Sequence, residues 1–188
     1  MKQVSLLGGA DLAPTPKDLG DLPPVAYTRK GVALSPCGLY RYRLERRWGP
    51  GDVVTFCMLN PSVADSSKDD PTVKKCVGFA RRWGCGSLVV VNLFAYRATD
   101  PDALDLAREG GRDVVGPEND AHLRRAFAEA ALGGRIVAAW GAHETWGRAR
   151  EVTLFGGPFE ALRITKKGAP EHPLYVPYDV TPMPFGLP

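Results

Sequence analysis

The chain reads as an α/β fold: a three-layer sandwich on a central, mostly parallel sheet, with an N-terminal hairpin strand added to it. Three observations predict this. The runs Val53 to Pro61, Ser87 to Asn92 and Arg135 to Gly141 have short apolar cores bounded by turn residues, as buried strands do. Stretches with apolar residues every three or four positions lie between them, which is the order of repeated strand-helix-strand units. Each run also ends on special chemistry: Asn60 before Pro61, Asn92, and Trp140 before Gly141. Ligands of open α/β sheets bind outside the carboxyl ends of the strands, so three such ends predict one crevice.

The elements follow in order. Residues 1–36 lack sustained periodicity and hold prolines at 14, 16, 23, 24 and 36, which predicts an irregular N-terminal arm preceding a single α/β domain over 37–188. Tyr40 to Trp48 alternates large apolar and charged residues with period two, then meets Gly49-Pro50-Gly51-Asp52 before the Val53 run. It is expected to form a hairpin with one polar face. Arg41, Arg43 and Arg47 on that face either solvate it or form a phosphate-contacting stripe. After Asn60 a polar loop leads to Asp70-Pro71, where Asp suits a helix N-cap and Pro the first helical position. Val73, Cys76, Val77, Ala80 and Trp83 then mark a helix face that Gly84 and Gly86 terminate.

Past Asn92, a loop precedes a short helical segment near Asp102 to Arg108, and Glu118 to Leu132 carries Leu123, Ala126, Phe127 and Ala130 at helical spacing. A helix is expected between Ala142 and Leu154, and a fourth parallel strand over Glu160 to Thr165. The proline-rich segment that follows is a loop directly after a strand, which should bring His172 to the crevice.

At 188 residues the chain suits one sizeable core. No stretch nears the ~20 apolar residues of a membrane helix, and the N-terminus lacks the pattern of a secretory signal. The expectation is a cytoplasmic monomer with no membrane partner. A net charge of +3 permits contact with phosphates without demanding it. Cys37, Cys57, Cys76 and Cys85 form no Cys-x-x-Cys pair, which favours reduced, buried thiols over a zinc or iron–sulfur site. Asp65, Asp69 and Asp70 could hold Mg²⁺, but such a site draws ligands from separated segments and a phosphate substrate, so no metal or other cofactor is expected.

Asn60 and Asn92 each offer a donor and an acceptor, enough together to hold a water and read the edge of a planar heterocycle; alternatively each caps a helix or braces a loop. His172 could donate to a base carbonyl or a developing anion. His122 lies in a helical pattern and His143 follows Trp140-Gly141, and both read as packing or surface residues. Lys166 and Lys167 are either a phosphate clamp or a solvated pair.

The motifs Asn60-Pro61-Ser62-x-Ala64-Asp65, Asp69-Asp70-Pro71-Thr72, Asn92-Leu93-Phe94-Ala95-x-Arg97-Ala98-Thr99, Ala139-Trp140-Gly141 and His172-Pro173-Leu174-Tyr175 together resemble the bacterial and phage domain of unknown function 1643 family over Tyr40 to Val176. More distantly, their order resembles the uracil-DNA glycosylase superfamily. Met58-Leu59-Asn60-Pro61-Ser62 is similar to the Gly-Ile-Asn-Pro-Gly motif of its mismatch-specific branch, Val-Val-Val-Asn92 to the strand whose terminal Asn reads the base, and His172-Pro173 to the His-Pro-Ser loop. Met58-Leu59 and Leu174 depart from those patterns. The resemblance implies a uracil-DNA-glycosylase-like fold. It also implies Asn60 and His172 as catalytic residues, and Asn92, Phe94, Trp140 and Gly141 as base-binding ones. Ser62, Asp65, Arg97, Lys166 and Lys167 are then loop or phosphate contacts, and the partner is DNA or a nucleotide.

Three function classes stay open: excision of uracil or a modified base from DNA by N-glycosidic hydrolysis, a non-catalytic nucleotide- or nucleic-acid-binding module on the same fold, and, more weakly, a metal-dependent phosphohydrolase.

Overall fold

The computed structural model describes residues 22–62, 69–98 and 101–187. Seven strands form one sheet: β1 (Arg29–Leu34), β2 (Arg41–Arg47), β3 (Val53–Met58), β4 (Ser87–Asn92), β5 (Arg135–Ala138), β6 (Phe159–Ala161) and β7 (Met183–Phe185), in the spatial order β1-β2-β4-β3-β5-β6-β7. The apolar runs β4, β3, β5 and β6 are mutually parallel and form its centre. β1 and β2 on one side and β7 on the other are joined by antiparallel pairings. The sheet is therefore mixed, with three antiparallel contacts among six, and not mostly parallel as expected. A parallel strand must be buried on both faces. The runs of β3, β4 and β5 are apolar enough for that and β6 adds a short parallel strand with Glu160 half-buried, whereas β2 alternates charge with bulk and β7 contains Pro184, which suits an edge.

Helices pack on both faces. On one lies α1 (Pro71–Arg82), whose Val73, Cys76, Val77, Phe79 and Ala80 pack with Val54, Phe56, Leu88 and Val90. On the other lie α2 (Pro101–Glu109), α3 (Asn119–Ala130) and α4 (Arg148–Thr153), which contribute Leu104, Leu123, Phe127 and Val152 to a core with Cys57, Val89, Val91 and Ile136. Successive residues of a strand point to opposite faces, so Cys57 and Cys76 lie on opposite sides of the sheet. Buried among hydrocarbon, both thiols are pushed well above their ordinary range by desolvation. Cys37 is exposed.

α1 begins as its sequence requires: Asp70 is extended, its carboxylate accepts from the Val73 N–H at 2.7 Å, and Pro71 takes the first turn.

Four elements differ from expectation. β2 does not pair with β3; its hairpin partner is β1, inside the segment read as irregular arm, and β4 is inserted between β2 and β3. The link from Trp48 to Asp52 must then cross two strand spacings, roughly 9.5 Å, over the start of β4. It passes so close that a side chain at Gly86 would meet the Pro50 carbonyl oxygen at 2.1 Å, which is why glycine stands there. The expected helix over 142–154 is only α4, because Trp146 and Gly147 have positive φ and break the turn before it. The expected strand over 160–165 closes after Ala161. β7, with its proline, gave no strand signal.

The arginines of β2 do not share one face. Between Ala33, opposite Arg43, and Leu34, opposite Arg41, the register skips Tyr42. That bulge turns Arg41 to the side opposite Arg43, as bulges re-aim side chains. Arg43 meets Glu129 of α3 at 2.6 Å and Arg47 is exposed, while Arg41 is 7% exposed on the α1 side.

Candidate functional site

A cavity of about 530 Å³ opens at the carboxyl ends of β3, β4 and β5 on the α1 side, the position that the sheet rule assigns to a ligand. Asn60, Ser62, Asn92, Trp140, Gly141 and His172 all line it. The other sequence-selected residues that are described do not. Phe94 is buried against Trp146, with ring centroids 5.4 Å apart. Arg97 donates to the Gly38 carbonyl at 3.0 Å and so ties the loop between β1 and β2. Lys166 and Lys167 are exposed on a turn outside the cavity, and Asp65 lies outside the described residues.

Asn92 closes β4 on the same face as Val90, because the two are separated by one pleat. It is 2% exposed, and its side-chain amide finds no hydrogen-bond partner among the described residues. Neither amide atom of Asn92 is sealed from solvent without a partner, so the donor and the acceptor are both open to what fills the cavity. The backbone around Asn92 is fixed from behind. Asn119, fully buried at the start of α3, donates both amide hydrogens, to the carbonyls of Asn92 (3.1 Å) and Leu93 (3.0 Å). Arg148 donates to the Leu93 carbonyl at 3.1 Å and is itself paired with Asp120 and Glu151. Neither residue carries a local signal in the sequence, since each acts on a strand end that is remote along the chain.

Asn60 differs. Its amide nitrogen donates to the Ala98 carbonyl at 3.1 Å, and more weakly to the Pro61 carbonyl at 3.4 Å, which leaves its carbonyl oxygen as the group that can accept from a water or ligand. Bracing and ligand contact are thus divided between the two ends of one amide.

His172 opens the short 3-10 turn Pro173–Tyr175, and its Nδ1 accepts a long bond, 3.4 Å, from the Leu174 N–H. Burial lowers its pKa, against a smaller opposing pull from Asp70. The ring is therefore neutral at pH 7 with its proton on Nε2, a donor without charge. Gly141, with φ of +80°, fixes this loop against the end of β5 by donating its N–H to the Pro170 carbonyl at 3.0 Å. Trp140 borders the cavity, but its ring is buried and packs edge-on against Phe185 in the core on the α2–α4 face of the sheet. Tyr175, 72% exposed, stands at the rim.

Two lining residues were read otherwise or missed. His143, read as packing or surface, lines the cavity, and its Nε2 lies 2.9 Å from Asp105 Oδ1 of α2. The contact ties α2 to the loop that follows β5. The left-handed residues Trp146 and Gly147, which shorten α4, leave this segment free of helix. Arg41 was placed on an exposed face; the bulge brings it to the cavity.

Of the carboxylates first considered for a metal, Asp69 and Asp70 are otherwise engaged, and Asp65 lies outside the described residues. Asp69 pairs with the fully buried Arg46 at 2.7 Å and accepts from the Tyr27 hydroxyl. Asp70 caps α1 and accepts from Ser62 Oγ at 3.3 Å. No cluster of three metal-ligating side chains occurs among the described residues, and no helix among them is long and apolar enough to cross a membrane.

Among known proteins, a family profile described as "Protein of unknown function (DUF1643)" matches residues 41–174. Searches of curated proteins and of solved structures returned no match.

Proposed function

We propose that this chain, which belongs to the DUF1643 family of proteins of unknown function, reads a uracil-type or modified base in the β3–β4–β5 cavity and hydrolyses the N-glycosidic bond that holds it. The observation that carries this reading is Asn92: an amide at the cavity whose donor and acceptor have no partner among the described residues. A planar heterocycle with adjacent carbonyl and N–H groups satisfies such an amide. A uracil-DNA-glycosylase-like arrangement of the parallel strands around it is part of the proposal.

The reaction breaks the bond between C1′ and the base nitrogen, with the electron pair leaving on the base. Charge thus appears in two places as the transition state is approached: positive on the sugar, negative on the base. Nε2–H of the neutral His172 donates to the base as its charge grows, a contribution worth more in the transition state than in the ground state. The Asn60 carbonyl oxygen accepts from the attacking water and orients it. An amide is too weak a base to take the proton; the His143–Asp105 pair at the cavity is the acceptor in this proposal. The water oxygen ends on C1′, and one proton ends on the departed base.

The competing reading keeps the base pocket and breaks no bond. Phosphohydrolysis through Asp65, Asp69 and Asp70 is less well supported, because Asp69 and Asp70 are committed to Arg46 and to the α1 cap. Incubation with DNA containing uracil, hypoxanthine and hypermodified bases, followed by detection of abasic sites, tests the proposal. Abasic sites formed by the unaltered protein and lost in His172→Ala support it. Retained binding of nucleosides or nucleic acid without abasic sites on any substrate leaves only the binding module.

A further inference from the structure

Arg41 is a cation that no side chain among the described residues touches. It is 93% removed from solvent and lines the cavity, and its guanidinium makes no hydrogen bond or ion pair among the described residues; its Nε is buried with no partner. Only the backbone is engaged, through its N–H to the Ala95 carbonyl at 2.9 Å. Of the two acidic side chains of the cavity wall, Asp70 acts on Arg41 through its field and neither hydrogen-bonds to it. Asp70 caps α1, and Glu171 lies 3.6 Å from Arg163. Burial lowers the Arg41 pKa to about 10, with Asp70 opposing and Arg97 and Arg46 adding to the fall, so the group remains charged at pH 7.

A buried, unpaired charge costs several kcal/mol and is found where something else pays for it. The bulge at Tyr42 turns Arg41 away from the α3 face, where Arg43 meets Glu129, and into the cavity. A guanidinium presents a planar fork of N–H donors that matches the paired oxygens of a phosphate or carboxylate.

We propose that Arg41 is the seat of an oxyanion carried by the ligand, so that the cavity takes a nucleobase compound bearing a phosphate or carboxylate, either a free nucleotide or an acid-substituted base. This rests on the base-pocket reading and narrows it. A neutral base flipped out of a duplex would leave its backbone phosphates outside a cavity that already contains the cation.

The test is calorimetric titration of the full chain with 2′-deoxyuridine, its 5′-monophosphate, 5-carboxy-2′-deoxyuridine and inorganic phosphate. At least one charged nucleoside should bind roughly ten- to a hundred-fold more tightly than the neutral one, the range of one charge-assisted contact. The monophosphate arm identifies a phosphate on the sugar, the carboxy arm an acid on the base. Arg41→Met should erase that preference, Arg41→Lys should restore part of it, and Arg41→Met should melt no lower than the unaltered protein, because an unpaired buried charge has been removed. Equal affinity for charged and neutral nucleosides, with Asn92→Leu weakening both, would overturn the proposal while leaving base recognition intact. Arg41-dependent binding of phosphate alone, indifferent to base and to Asn92, would retain the oxyanion seat and remove the base pocket. Absence of binding by any of the four probes would overturn the proposal outright.

Discussion

Replacing Asn92 by leucine separates a functional amide from a structural one. The two side chains are similar in size, and position 92 is 2% exposed at the end of an apolar strand. In a structural role the amide would be hydrogen-bonded, and its removal would cost stability. Here it has no partner among the described residues and stays open to the cavity, so leucine removes no protein hydrogen bond and the melting point should hold or rise by up to about 2 °C. Ligand binding should move the other way. Two lost hydrogen bonds at about 0.5–1.5 kcal/mol each weaken nucleobase affinity by roughly five- to a hundred-fold. Thermal unfolding and titration with nucleosides on the same preparation read both numbers. A melting point lowered by several degrees with affinity unchanged would show that Asn92 holds the fold and reads nothing.

Three further outcomes follow from the same geometry. His172→Ala should slow base release by about a hundred- to a thousand-fold, the cost of one preorganised donor at a developing anion, with nucleoside affinity within a few-fold of the unaltered protein by titration. Asp70→Ala should lower stability by about 0.5–2 kcal/mol through the lost Val73 cap, whereas Asp70→Asn, which still caps, should melt close to the unaltered protein; equal losses in denaturant titrations would show that the charge matters and the cap does not. Burial lowers the His172 pKa below its unfolded value of about 6.5, so at intermediate pH the unfolded chain binds the additional proton. The stability held by the neutral ring is complete above about pH 6.5 and is lost as pH falls through the lowered native value; urea titrations from pH 7.5 to 5 should show this fall, and His172→Asn should reduce it.

The parts of the fold that were legible in the sequence are those with local causes. The runs that became β3, β4 and β5 are apolar because both faces of a central strand are covered, and Asp70-Pro71 starts α1 through chemistry confined to four residues. Strand order had no such local trace. Nothing in Gly49 to Asp52 says that β4 will enter between β2 and β3, although Gly86 marks the crossing once it is known. The same division holds at the site. Asn60, Asn92, Trp140, Gly141 and His172 were found because a strand end in an α/β sheet is a place that sequence can mark. Arg41 was misread because period-two alternation assumes an unbroken ladder, and one skipped residue reverses a side chain. His143 was missed because its value comes from Asp105, 38 positions away on α2. Asn119 was missed because it acts on two carbonyls more than 25 positions distant.

The central claim, cleavage of an N-glycosidic bond by water, is tested most directly by running the reaction in ¹⁸O-labelled water with uracil-containing DNA, deoxyuridine monophosphate and acid- or hypermodified-base substrates, and weighing every product by mass spectrometry. Base hydrolysis predicts free unlabelled base and a sugar carrying one ¹⁸O at C1′, both abolished or strongly slowed in His172→Ala. Label recovered in phosphate, or no free base from any substrate that the protein demonstrably binds, would contradict it.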